Sequence, residues 1–230
     1  MCKRYSFTCS KEKVKREFGI TSSIDLRESY NIAPTQLAYV IANHQPLELS
    51  EFFWGLIPYT SNDPTIGEKL INARADQVAS SSSFRMPFRK RRCLVPADGY
   101  YFWKQQGTMR QAYRVTSAEA NKMFVFAGIW DEWTSDSGKS IKTFSIITVP
   151  NNQQLEGHDD EMPLILDSAD TRYAWLDEET TIEGAVAIIS APPYAADLHI
   201  YKVTNKLEKA TYDQPDLLKE IADGPNLFDS

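Results

Sequence analysis

Runs of six to eleven residues rich in β-branched and aromatic side chains recur along the chain with turn residues between them. This alternation limits the fold more than any other feature. QLAYVIAN (36–43), LELSEFFWGLI (47–57), RCLVPA (92–97), GYYFWK (99–104), AYRVTS (112–117), MFVFAGIWDEW (123–133), TFSIITV (143–149) and AVAIIS (185–190) read as strands, the first two pairing as a hairpin across His44, Gln45 and Pro46. Helices are expected at KEKVKREF (11–18), ended by the Ser/Thr stretch after Ile20, and from Ala73 to Phe84, Ser168 to Trp175 and Pro215 to Ile221. Many strands on short turns with few helices give an α+β fold class: a single domain with a curved, barrel-like, mostly antiparallel β core and a few flanking helices. No repeat and no Gly/Pro/Ser-rich linker interrupts the chain, so residues 1–222 read as one domain and 223–230 as a polar C-terminal tail.

Composition removes several classes of function. A hydrophobic fraction of 42% with 12% aromatic residues suits an ordered globular protein. No stretch reaches the roughly 20 apolar residues of a membrane span, and the basic N-terminus MCKRYSF lacks the apolar segment of a secretory signal. A cytoplasmic protein without membrane contact is expected. Cys2, Cys9 and Cys93 have no zinc-type spacing, and His44, His158 and His199 are scattered singly, so neither a metal nor another cofactor is expected. The net charge of −6 argues against a uniformly basic surface, yet no acidic residue lies between Gln77 and Ala97 while Arg85, Arg89, Lys90, Arg91 and Arg92 do. Such a run is either a solvated face or, with Phe84, Phe88, Tyr100, Tyr101 and Trp103 nearby, a groove combining phosphate contacts with base stacking.

The second residue carries chemistry of its own. Loss of Met1 would leave Cys2 with a thiol and an α-amine on adjacent carbons, a 1,2-aminothiol. Reference pKa values of about 8.5 and 7.7–8.0 keep part of each group nucleophilic near neutral pH. An aldehyde meeting this pair forms an imine with the amine, which the sulfur then closes to a five-membered thiazolidine. The ring-opened sugar of an abasic site in DNA is such an aldehyde.

MCKRY at the start, YNIAP (30–34), FFWGLIP (52–58), INAR (71–74), RRCLVPADGYYFWK (91–104) and EMPLIL (161–166) occur together in this order, followed by YKVTN (201–205) and PDLLKEI. Together they resemble the SRAP family, the SOS response-associated peptidases or abasic-site processing proteins, over nearly the whole chain. The resemblance implies that Cys2 is a nucleophile freed by autocatalytic loss of Met1, which then forms a thiazolidine crosslink with abasic sites in single-stranded DNA. It implies that Asn72 holds the new amine, that Arg4 and Arg74 contact DNA phosphates, and that Trp54, Gly55 and Pro58 belong to the pocket wall and loop, Trp54 reading equally as a core residue. Arg85, Arg89 and Trp103 are the further candidates for DNA contact. Arg74 has a second reading, an ion pair with Asp76 or Asp25. The DNA is the only partner implied.

Three positions depart from the family pattern. Phe102 stands where the family has the Glu that moves protons for sugar-ring opening and Met1 release. Asp159 occupies the place of the family His, with His158 one residue earlier, so both are candidates for that role. Lys3 replaces a Gly beside the nucleophile. Asp98, Asp159 and Asp160 are candidates for a replacement carboxyl, Asp98 being also a common turn former. Two other functions fit parts of the chain: a non-catalytic single-stranded DNA binder descended from the family, and an N-terminal-nucleophile amidohydrolase, which would need Gly-rich segments after Cys2 and an Asn-Gly pair that are absent here.

Overall fold

The structure is a computed structural model and describes residues 2–20, 25–155, 160–191 and 196–222. In chain order the elements are β1 (Arg4–Phe7), α1 (Lys11–Phe18), β2 (Ser29–Ile32), β3 (Leu37–Ala42), β4 (Ser50–Trp54), β5 (Asn72–Arg74), α2 (Arg85–Lys90), β6 (Arg92–Ala97), β7 (Gly99–Gln106), β8 (Met109–Ser117), β9 (Phe124–Thr134), β10 (Ser140–Pro150), β11 (Glu161–Pro163), α3 (Ala169–Leu176), α4 (Ile182–Ile189) and β12 (Leu198–Lys202). β10 pairs with β4, β4 with β3, β3 with β6, β6 with β9, and β9 again with β10, so five strands close into a barrel. β5 and β11 add to the far part of β10. A second, antiparallel sheet runs β12-β8-β7-β1-β2.

Strand alternation explains how the two sheets meet. Tyr5 of β1 and Tyr100 of β7 are paired and therefore share a face. Tyr5 packs on Trp54 and Phe126 at ring separations of 5.2 and 6.0 Å, and Tyr100 packs on Phe126 at 6.1 Å, joining this face to the main core. The alternate positions on β7, Tyr101 and Trp103, meet Val203, Leu207 and Leu217 in a separate cluster on the other face. The start of β1, and with it Cys2, is thereby fixed at the seam between sheet and barrel.

Where the expected elements differ, tertiary contacts explain the change. AVAIIS is not a strand but lies within α4, because Thr181 caps the Gly184 N–H at 3.1 Å and Ala185 and Ile189, four residues apart, bury one helical face. The helix expected from Ala73 to Phe84 is instead the short β5 followed by turns. β10 offers that segment strand pairing, and the serines at 80–83 disfavour helix. α1 has the expected range but ends at Gly19, in the left-handed region with φ 65°, before the Ser/Thr stretch is reached. Only a 3-10 turn, Pro215–Leu218, forms near the C-terminus. The tail 223–230 lies outside the described residues.

Gly55, in FFWGLIP, has φ +126°, and a Cβ there would lie 2.5 Å from the Gly67 carbonyl oxygen. Both backbone and space demand glycine. Gly55→Ala is expected to cost roughly 1–3 kcal/mol in backbone strain alone and to lower the thermal unfolding midpoint by several degrees; an unchanged midpoint would show that the two loops move apart freely.

Candidate functional site

Cys2 is buried, with 2% of its surface exposed, and takes part in no disulfide. Its backbone is held by Asn72, whose Nδ2 donates to the Cys2 carbonyl at 2.6 Å. Asn72 is itself fixed by its neighbours. The Ile71 carbonyl accepts from Trp54 Nε1 at 2.8 Å and from the Ile146 N–H at 3.1 Å, while Ala73 is wholly buried, so Asn72 and Arg74 project to the opposite side of β5. Asn72 Oδ1 is buried without a hydrogen-bond partner among the described residues. A buried acceptor left in this way is costly, and it stands beside the residue whose amine would be released.

Around this pair the charges are divided. Arg4 is half-buried and donates through Nη1 to the Lys3 carbonyl at 2.8 Å; burial pulls its guanidinium below the usual value, opposed by the neighbouring Cys2. Lys3 is exposed and does not adopt a positive φ, so its side chain causes no strain there. Arg74 makes a two-pronged contact with Asp76, Nε at 3.0 Å and Nη2 at 2.9 Å, and donates through Nη1 to Glu161 at 2.7 Å. These bonds, that to Asp76 foremost, raise its pKa, and the Asp76 ion pair is the second of its two sequence readings. Phe102 is buried and stacked on Tyr113 at 5.2 Å with the rings 5° from parallel. His158 and Asp159 lie outside the described residues.

Asp98 is committed elsewhere. Its oxygens accept from the Ser6 hydroxyl and from the Thr8 hydroxyl and N–H, beyond the middle of β1 and away from Cys2, and from Arg114 of β8 at 3.3 Å. It is the anchor of a turn and not a replacement acid.

The basic run divides in the same way. Arg85, Arg89 and Lys90 are exposed on or at the end of α2, whereas Arg91 pairs with the buried Asp131 and lies over the Trp130 ring. Burial raises the Asp131 pKa even though its carboxylate accepts from the Tyr59 and Glu132 N–H groups and from Arg91. Arg92 is 1% exposed and donates to the Phe88 and Arg89 carbonyls at 3.2 Å and to those of Trp175 and Asp177 at 2.7 Å. It therefore neutralises the C-terminal ends of two helices, α2 and α3, where a cation is favoured, and is not free for phosphate. The expected stacking platform needs the same correction: Tyr100 and Tyr101 are buried to 2% and 0%, and Phe84 and Phe88 are core residues. Trp103 lies on the far face of the second sheet beneath Arg110, whose guanidinium carbon is 5.7 Å from the ring centre.

One residue that sequence reasoning passed over stands here. Glu161 opens the EMPLIL motif, yet nothing in its local sequence shows that β11 pairs beside β10 and so brings it to Arg74. Among the described residues no cluster of His, Cys, Asp and Glu could hold a metal ion, and no helix is long and apolar enough to cross a membrane.

Comparison with known proteins draws these observations together. A profile described as SOS response associated peptidase (SRAP) matches residues 1–210. The abasic site processing protein YoqW of Bacillus subtilis is 30% identical over 223 residues, covering 95% of this chain and 99% of that protein. YobE of the same organism, also named an abasic site processing protein, is 31% identical over 209 residues, covering 89% and 95%. A crystal structure of a protein from Bacteroides thetaiotaomicron superposes with a TM-score of 0.85 at 27% identity, covering 96% of this chain and all of that one.

Proposed function

We propose that this chain, which belongs to the SOS response associated peptidase (SRAP) family, processes abasic sites by capturing them covalently: Cys2, once Met1 is gone, closes a thiazolidine on the ring-opened sugar in single-stranded DNA. The observation that carries the reading is the Asn72 contact. Its amide N–H holds the Cys2 carbonyl at 2.6 Å while its unpartnered Oδ1 can accept from the α-amine. Asn72 is neutral and adds no charge that would keep the amine protonated. Peptidase action on Met1 is the same nucleophile's first task in this reading.

The reaction balances without a cofactor. The neutral amine adds to the aldehyde carbon, the carbonyl oxygen takes up two protons, one from the nitrogen that has added and one released by the thiol as it ionises, and leaves as water, and the thiolate adds to the resulting iminium carbon as its π pair returns to nitrogen. The direct test mixes the mature protein with uracil-glycosylase-treated single-stranded DNA. A band that survives denaturation, with an intact mass equal to the Cys2-initiated chain plus the abasic oligonucleotide less one water, is the expected result. Noncovalent retention alone would favour the binding-only reading, for which Phe102, a buried side chain that can carry no proton, is the supporting observation.

In this function Arg85 and Arg89 are the arginines of the basic run left for the DNA backbone. Replacing both with Ala is expected to flatten the salt dependence of single-strand binding by about 0.7 in log–log slope for each phosphate that is no longer neutralised. An unchanged slope would return α2 to the role of a solvated surface.

A further inference from the structure

Phe102 leaves the site without a proton carrier at that position, and strand pairing brings a carboxylate in from another side. Asn72 and Arg74 of β5 are in register with Ile146 and Thr148 of β10, and β11 pairs antiparallel with β10 so that Pro163 faces Thr148 and Glu161 faces Pro150. Paired residues, and alternate residues along one strand, share a face of a sheet. Asn72, Arg74, Thr148 and Glu161 therefore stand on one face, and their contacts agree: Glu161 Oε1 accepts from Arg74 at 2.7 Å and Oε2 from the Thr148 hydroxyl at 2.9 Å. The Glu161 side chain is only 11% exposed, against 61% for Asp76 on the other side of Arg74. It borders a cavity of about 230 Å³ lined also by Arg74, Thr148 and Asp160.

We propose that Glu161 is the proton-transfer group of this site and does the work that Phe102 cannot. The inference rests on the crosslinking function proposed above. Arg74 and Thr148 fix both carboxylate oxygens, and in this step Glu161 acts first as the base. It takes a proton from the nitrogen as the Cys2 amine adds to the aldehyde carbon, then gives it to the carbinol hydroxyl, formed with the proton that the thiol releases, and this hydroxyl leaves as water. Asn72, which grips Cys2, lies two residues or about 7 Å along β5 from Arg74 on the same face, so Glu161 acts on the amine through water and not by direct contact. Arg74, Asp76 and Asp160 are the described charged groups around it. Pro150 and Glu161 are directly paired, so position 161 is held at the end of β10 by the sheet itself.

Single-turnover crosslinking to an abasic single-stranded oligonucleotide, followed across pH 5 to 9, tests the assignment. Glu161→Gln keeps an oxygen for Arg74 or Thr148 and is expected to slow crosslinking at neutral pH by at least about tenfold, a conservative fraction of the roughly 10²- to 10⁴-fold that a positioned acid or base contributes. Noncovalent binding should not weaken, since a negative charge has been taken from a DNA-facing rim. Glu161→Ala should recover rate when formate is added, which a merely structural role would not produce. A wild-type rate and profile for Glu161→Gln, or a slow Glu161→Ala that formate leaves unchanged, overturns this inference alone. Absence of any adduct from the wild-type chain overturns the crosslinking function and this inference with it.

Discussion

Cys2→Ser is expected to form no denaturation-resistant adduct with abasic single-stranded DNA under conditions in which the wild-type chain forms one in high yield. The two side chains are nearly isosteric, so the seam between β1 and β5 and the Asn72 contact with the residue 2 carbonyl should survive. What changes is the second bond. A thiol has a few per cent of its population as thiolate at neutral pH and is intrinsically a strong nucleophile, whereas a serine hydroxyl without an adjacent base is not. In a Cys2→Ser chain prepared without Met1 the amine still forms an imine, but nothing traps it, and hydrolysis returns the aldehyde. The yield after denaturation should therefore fall by at least about 100-fold, a modest share of the reactivity gap between the two nucleophiles. Borohydride added before denaturation should restore an adduct to Cys2→Ser by reducing the imine, and should restore none to a chain whose N-terminus is blocked. Equal yields from both proteins without reductant would sink the aminothiol mechanism.

How much of this is legible in the sequence depends on whether a residue's partners lie near it in the chain. The alternation in GYYFWK separates Tyr100, which meets the barrel, from Tyr101 and Trp103, which meet the second cluster; the period is visible in the chain, but not that both faces of the strand are covered. The burial of both faces removes Tyr100 and Tyr101 as stacking surfaces for bases. Arg92 reads as one more cation in a basic run because its acceptors, the Trp175 and Asp177 carbonyls, lie 83 and 85 positions away. The INAR segment is legible as a motif and illegible as a strand: three residues carry too little pattern, and β10 decides their conformation. That position 102 holds a side chain unable to carry a proton is readable from the chain alone. The presence of Glu161 near Arg74 is not, since it arises from the pairing of β10 and β11.

The value of the INAR asparagine can be measured apart from its contribution to folding. Asn72→Ala removes one hydrogen bond, worth about 1 kcal/mol, and also removes the unsatisfied Oδ1, so the thermal midpoint should move little. Crosslinking should respond far more, because displacement of a reacting group by about 1 Å costs on the order of 100-fold and Asn72 is the described side chain that holds the residue 2 carbonyl. Asn72→Asp separates position from charge. An ionised Asp beside the α-amine favours the ammonium form and raises the amine pKa, by about one unit or more for charges within 4–6 Å. The nucleophilic neutral amine then becomes scarce at neutral pH and returns as pH rises through the new value. The Asp variant should accordingly be slow at pH 7, regain much of its loss near pH 9, and show its rise displaced to higher pH than that of the wild type. The Ala variant should stay slow at both pH values with its profile unmoved. A wild-type rate for Asn72→Ala would remove this residue from the mechanism; a slow Asn72→Asp with an unshifted profile would leave it holding the Cys2 carbonyl without reaching the amine.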